Sequence, residues 1–155
     1  MKTVPLTQGK VALVDDEDYE AVMRHKWCAH RHVRLGRTTW YVVRGNGLIY
    51  MHRELLGAAR GQTVDHCDGD ALNNQRANIR LCTNQENVAS RHVAHASSGV
   101  RGAYFDGRCT LSKPWVAAVR VNYRKKYLGM FATKEEAGAV AAAARRRIFG
   151  KYAGL

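Results

Sequence analysis

Twice along this chain a Thr-x-x-Glu box follows short strand-like segments: Thr83-Asn84-Gln85-Glu86 and Thr133-Lys134-Glu135-Glu136. In such a box the threonine hydroxyl caps the N3 amide while the glutamate reaches back to the cap, so each box opens a helix. The first is predicted from about Asn84 to about Ala94. The second ends near Phe149, with Gly150 as its stop. Between them His95–Gly99 is small and polar, which suits a linker. The 155 residues allow one ordinary domain or two small ones and exclude large barrels. An apolar content of 46% is enough for a core and argues against wholesale disorder.

Strand patterning predicts Lys10–Val14, Trp27–Val33 and Thr38–Arg44, with Asn46-Gly47 as a turn. The acids from Asp15 to Asp18 suit a helix N-terminus that continues through Tyr19–His25. Leu48–Leu56 reads as a strand that finishes as a helix. Gln62–His66 and Ile79–Cys82 are short strands flanking Cys67–Asn78, a loop too polar for a core. Beyond the linker come strands at Val100–Phe105, Trp115–Asn122 and Lys126–Phe131. The second helix carries a core stripe of Ala137, Ala141, Ala144 and Ile148. Arg145, Arg146 and Arg147 complement its dipole or reach DNA. The fold class is α+β.

Charge separates the two halves. The chain has a formal charge of +12, of which residues 97–155 carry +9, from 12 Lys and Arg against three acids. An excess of this size points to a polyanion, nucleic acid first and anionic membrane second. Its concentration in one segment marks that segment as an electrostatic binding part. No run of 18 apolar residues predicts a membrane span, and the first 20 residues lack signal-peptide texture. The expected location is the cytoplasm. Cys28, Cys67, Cys82 and Cys109 form no C-x-x-C pair, so neither a zinc site nor a disulfide framework is expected.

The residues best suited to chemistry lie around the polar loop. Phosphodiester hydrolysis needs a base for water near neutral pH, a role that fits histidine. It also needs a cation at the phosphate, and hard oxygen ligands suit magnesium or manganese. Asp65, His66 and Asn87 offer that set. Neighbours in a regular strand point to opposite faces, so Asp65 and His66 share a site only if the chain leaves β-geometry there. Arg91, four residues after Asn87, shares its helix face, where it holds a phosphate or is simply solvated. His52, and Arg53 beside it, either donate to a phosphate or are structural.

The pattern Asp65-His66…Asn78-Ile79-Arg80…Asn87 resembles the HNH nuclease motif, the ββα-metal fold of homing endonucleases. The resemblance is close over Thr63–Arg91. Residues 1–60 are similar to the β-rich lead-in of phage-type members. It implies His66 as general base, Asp65 and Asn87 as ligands of one divalent ion, Mg2+ or Mn2+, and Asn78 as the residue bracing the loop. Asn87 stands where a terminal histidine is usual, as in phage-type members. Products with 5′-phosphate and 3′-hydroxyl ends are implied.

Residues 99–155 resemble a second family, the DNA-binding domain of plant ethylene-response factors (apetala-two-like). The match is carried by Gly99-Val100-Arg101-Gly102, Trp115 to Arg120, Tyr127-Leu128-Gly129, Thr133 to Ala137, and Phe149 to Ala153. It implies a three-stranded antiparallel sheet on one helix, with the sheet entering the major groove. Arg101, Arg108, Trp115, Arg120 and Lys126 then fall on the DNA side. Trp115 admits a second reading as core. Ala141 and Ala142 depart from the aromatic and acid usual there, implying thinner helix packing.

The expected organisation is a nuclease domain over 1–94 with its core motif at 63–91, a linker at 95–98 and a DNA-binding domain over 99–155. The expected activity is metal-dependent endonucleolytic cutting or nicking of duplex DNA by a monomer. The alternative is a non-catalytic DNA-binding regulator that keeps a nuclease-like fold.

Overall fold

The computed structural model describes all residues except 35, 47–48, 91–97, 109–111 and 155. Its contacts divide the chain into two compact units, Met1–Thr83 and Asn84–Leu155. The fold is α+β, built among the described residues from four small antiparallel sheets and four α-helices. No helix of the described residues is long and apolar enough to cross a membrane.

In the first unit β1 (Lys2–Pro5) pairs with β2 (Val11–Val14). β1 carries no sequence signal of its own, since only Val4 is buried and Pro5 ends it. It forms because β2 offers a paired edge and the core takes Val4. α1 (Asp16–Met23) follows, with three acids in its first turn. β3 (Cys28–Arg34), β4 (Arg37–Arg44) and β5 (Ile49–Tyr50) make a sheet in that order. The chain then turns directly into α2 (Met51–Leu55), the expected change from strand to helix. Val4, Val14, Val22, Trp27, Val42 and Met51 form one core. The Trp27 indole donates to the Val22 carbonyl at 2.8 Å, so the ring is buried without an unpaired N–H. β6 (Thr63–His66) and β7 (Ile79–Cys82) complete the unit as a two-stranded ribbon.

The second unit opens with α3 (Asn84–Ser90). β8 (Ala103–Phe105), β9 (Trp115–Val121) and β10 (Arg124–Phe131) form an antiparallel sheet in the order β10-β9-β8. α4 (Lys134–Phe149) packs on it through Ala137, Ala141, Ala144 and Phe149. Thr133 caps α4 by accepting from the Glu136 amide, while the Glu136 carboxylate accepts from the Ala132 amide. Ile148, expected in the core stripe, is instead 37% exposed, and Phe149 takes the buried place. A 3.6-residue period carries the stripe from Ala141 to Arg145 and on to Phe149, past Ile148. Arg145 is buried as well, which the dipole reading of the three arginines did not foresee.

Ala141, where thinner packing was expected, sits in a close approach. Gly102 has φ +86, and a Cβ placed on it would lie 2.6 Å from the Ala141 Cβ and 3.0 Å from the Ala118 carbonyl oxygen. Gly138 likewise faces Val100 with no room for a methyl group. Small side chains let α4 sit close to the sheet instead of leaving a gap. Gly102→Ala should therefore destabilise this unit by about 2–4 kcal/mol, through overpacking and a left-handed backbone that alanine resists. A denaturant melt checks this, and an unchanged midpoint would contradict the packing described.

α3 belongs to this packing. Ala89 joins Val119, Ala144 and Phe149 in one buried cluster. The Ala89 carbonyl accepts from Gly154 N and from the Arg101 guanidinium. The division between compact units falls between Thr83 and Asn84, and the expected linker at 95–98 lies, but for Ser98, outside the described residues.

Candidate active site and basic sheet face

The ribbon of β6 and β7 keeps regular pairing to its end, with Asp65 opposite Arg80 and His66 opposite Ile79. Asp65 and His66 therefore leave on opposite faces, and the excursion from β-geometry begins only at Cys67. Asp65 takes the Arg80 guanidinium at 2.7 Å. Both side chains are largely buried, at 11% and 17% exposure. The pairing had no sequence signal beyond the cross-strand register.

His66 faces a different set. Its ring meets that of His52 edge-on, with centroids 4.9 Å apart, and Tyr41 and Tyr50 complete an aromatic box around His52. His52 comes from α2, which the core residue Met51 seats. His52 is 6% exposed and its Nδ1 has no hydrogen-bond partner. Of its two sequence readings, phosphate donor or structural residue, the packing puts it inside the unit, against His66. Burial first, then the neighbouring His66 and Arg53, pushes its pKa down to about 3. Burial also lowers the pKa of His66, against the opposing pull of the Asn74 side chain and the Asp68, Asp65 and Asp70 carboxylates. His66 Nε2 is buried without a partner. The result is a neutral imidazole with one nitrogen unused, the state a general base starts from.

Two histidines held neutral by burial make the unit sensitive to acid. A folded pKa below the unfolded one means full stability above the unfolded value, lost as pH falls. For His52 the window runs from 6.5 down to about 3. By pH 5 the loss from this group should reach about 2 kcal/mol. Asp15 and Asp68, whose folded pKa values are lowered, add losses only below their unfolded value of 3.8. Melting temperature measured from pH 7 to 5 should fall, and fall less in His52→Phe. A pH-independent melt, or the same slope in the variant, would contradict the buried neutral pair.

The polar loop is held by its own side chains and by the N-terminal elements. Asn78, 8% exposed, accepts from the Asp68 amide and donates to the Asp68 carboxylate and the Asn73 carbonyl. Asp68 also accepts from the Asp70 amide and the Asn73 side chain. The far side of the loop is clamped from β2 and α1. Leu13 exchanges backbone hydrogen bonds with Leu72 and Asn74. Asp15 accepts from the Gln75 side chain and the Arg76 amide, and Asp18 takes the Arg76 guanidinium at 2.7 Å. Asp15 thus serves the loop, and makes no side-chain cap for α1. Asn74 is fully buried, although the loop that carries it reads as too polar for a core. The consecutive Asn73-Asn74 between a leucine and the loop end was the only available signal. Arg53 ties α2 to the chain entering β6 by donating to the Ala58, Ala59 and Gln62 carbonyls.

Asn87 lies on α3, half-buried, in the second unit. Its carbonyl oxygen on the backbone accepts from Ser90. Arg91 lies outside the described residues. Among the described residues no group of three or more His, Cys, Asp or Glu is placed to hold a metal ion. Magnesium is ordinarily held by one or two carboxylates with waters and substrate phosphate, so oxygen donors such as Asp65 and Asn87 fit it chemically without such a cluster. Cys28, Cys67 and Cys82 form no disulfide, and Cys109 lies outside the described residues.

On the sheet of the second unit, Ala117, Val119 and Val121 pack toward α4. Arg120 and its cross-strand neighbour Lys125 lie on the other face, where Lys125 Nζ sits 3.4 Å from the Tyr104 ring centroid. Lys126 pairs with Val119 and so shares the α4 side, away from Arg120. Trp115 packs into the α4-side cluster and meets Phe105 edge-on at 5.4 Å, in line with its core reading. Arg101 donates to the Val88 and Ala89 carbonyls. Arg108 is 91% exposed and paired with Asp106. Of the five positions expected on the DNA side, Arg120 is the cross-strand partner of Lys125. The sequence reading missed Lys125 because the adjacent Lys126 fits the alternation equally well until the register is known.

No curated protein and no solved structure matches the chain. Residues 60–89, which hold Asp65, His66, Asn78 and Asn87, match the family of HNH endonucleases.

Proposed function

We propose that the chain is a metal-dependent DNA endonuclease of the homing type, in which His66 is the general base. The observation that carries this is the coincidence of the HNH endonuclease match with a half-buried His66 that its surroundings hold neutral and whose Nε2 is unused. His66 would take the proton of the attacking water, while the Asn78-braced loop fixes the end of β6 from which it projects. Asp65 and Asn87 would hold the divalent ion, which requires Asp65 to turn out of the regular β6 register that sends it to the face opposite His66. When bound, it supplies positive charge to the phosphate and the leaving 3′-oxygen. Arg80 balances the Asp65 carboxylate in the meantime and has to share or yield it.

The second unit would act as the duplex anchor of the apetala-two-like kind. Arg120, Lys125 and the exposed Tyr127 on one sheet face supply cations and aromatic surface, and the segment's net charge of +9 supplies affinity. Incubation of duplex DNA with the protein should give ligatable 5′-phosphate and 3′-hydroxyl ends with magnesium or manganese. Cutting that survives a chelator would remove the metal from the reading. Ends of the opposite polarity would remove the reaction type.

A further inference from the structure

The second unit holds a pocket of about 360 Å³ between α3 and the end of β8 and β9. That volume falls within the range of small-ligand sites, about 300–1,000 Å³. Its floor is apolar, made by Ala118, Val119 and Phe149, with Val88 and Ala89 on the α3 side. Arg101, Arg120, Lys125 and Arg145 also line it, and no lining residue is acidic.

Two features here cost stability that packing alone does not require. Arg145 is 8% exposed, its Nε has no hydrogen-bond partner, and its Nη1 reaches only the Arg101 carbonyl, at 3.1 Å. A buried guanidinium whose charged neighbours among the described residues are Arg101 and Arg146, both cations, is expensive unless an anion joins it. Tyr123, at the mouth, is 78% exposed and has φ +63. A bulky residue in the left-handed region is a strained choice for a hairpin turn, where glycine is at home. Strain at such a position gains a purpose if the exposed ring meets a ligand.

We propose that this pocket receives one nucleotide of a bound DNA strand, its base on the apolar floor beside Tyr123 and its phosphate toward Arg145 and the neighbouring cations. The assignment rests on the reading of the chain as a DNA-acting protein. The chemistry it requires is a planar aromatic base joined to a phosphate. A free mononucleotide offers the same chemistry, and the two sources are separable.

The full-length chain is titrated with deoxyadenosine monophosphate, deoxyadenosine and inorganic phosphate, followed by calorimetry or amide chemical shifts. The monophosphate should bind at least tenfold more tightly than either fragment. Arg145→Met should weaken it about tenfold or more, the loss expected for a charge-assisted hydrogen bond, while the melting temperature holds or rises. Tyr123→Gly should weaken it severalfold while relieving the turn. Binding of phosphate as tight as that of the monophosphate, or binding unchanged in both variants, overturns the pocket's assignment. In a second arm a duplex carries 2-aminopurine, which brightens when unstacked. Brightening with the wild type and not with Arg145→Met supports the DNA strand as source. Monophosphate binding without brightening overturns that source. Neither arm uses cleavage, so the pocket and the role of His66 stand or fall separately. Loss of all duplex binding would overturn the DNA reading itself.

Discussion

A chain ending at Ser97 should lose cleavage as well as DNA affinity. If the two halves were independent modules, truncation would remove the anchor and leave a weakly binding but competent nuclease. The packing argues otherwise. α3 carries Asn87, yet the partners of α3 lie beyond residue 97: the Val119, Ala144 and Phe149 cluster, the Arg101 guanidinium and the Gly154 amide. A seven-residue helix without tertiary partners is not stable in water. Asn87, the proposed metal ligand, would be unplaced, and misplacement of a reacting-site group costs about 10²-fold or more. The truncated chain should also lose most of its salt dependence. With about six phosphates contacted, the full chain should show a log–log salt slope of about −5, and the truncated one a much shallower slope. Cleavage at the full-chain rate once DNA is saturated would contradict the dependence of Asn87 on the second unit. An unchanged slope would contradict the anchor.

His66→Ala should reduce the cleavage rate by about 10²–10⁴-fold, the usual contribution of a general base. DNA affinity should change little, since the cations that dominate it lie elsewhere and His66 is neutral. The expected signature is a fall in rate at saturating DNA with binding, followed by fluorescence anisotropy, within about twofold of the parent. The variant should also be somewhat less sensitive to mild acid, because one of two imidazoles held neutral by desolvation is gone. A variant that cuts normally would mean that another group activates the water. A variant that loses binding and cutting together would mean that His66 supports the fold.

Much of this was legible in the sequence because its signals are local. The Thr133 cap, the change from strand to helix at Tyr50–Met51, and the ribbon at 63–66 and 79–82 follow from patterning over a few residues. What was not legible depends on contacts distant in the chain. Nothing near Asp15 says that it will hold Arg76, 61 residues away. Nothing near His52 says that α2 will bring it against His66. The pairing of Asp65 with Arg80 and the choice of Lys125 over Lys126 beside Arg120 both needed a strand register, which a one-residue slip would reverse. Arg145 was read as a helix-end cation because its neighbours are arginines; its burial follows from the drift of the α4 stripe toward Phe149.

The central claim, that His66 drives metal-dependent hydrolysis of DNA, is tested most directly by nicking of supercoiled plasmid. Wild type and His66→Ala are compared at equal DNA occupancy, each with magnesium and with chelator. Open-circular or linear product from the wild type with magnesium alone is the predicted result. Equal product from His66→Ala, or from the wild type in chelator, would contradict it.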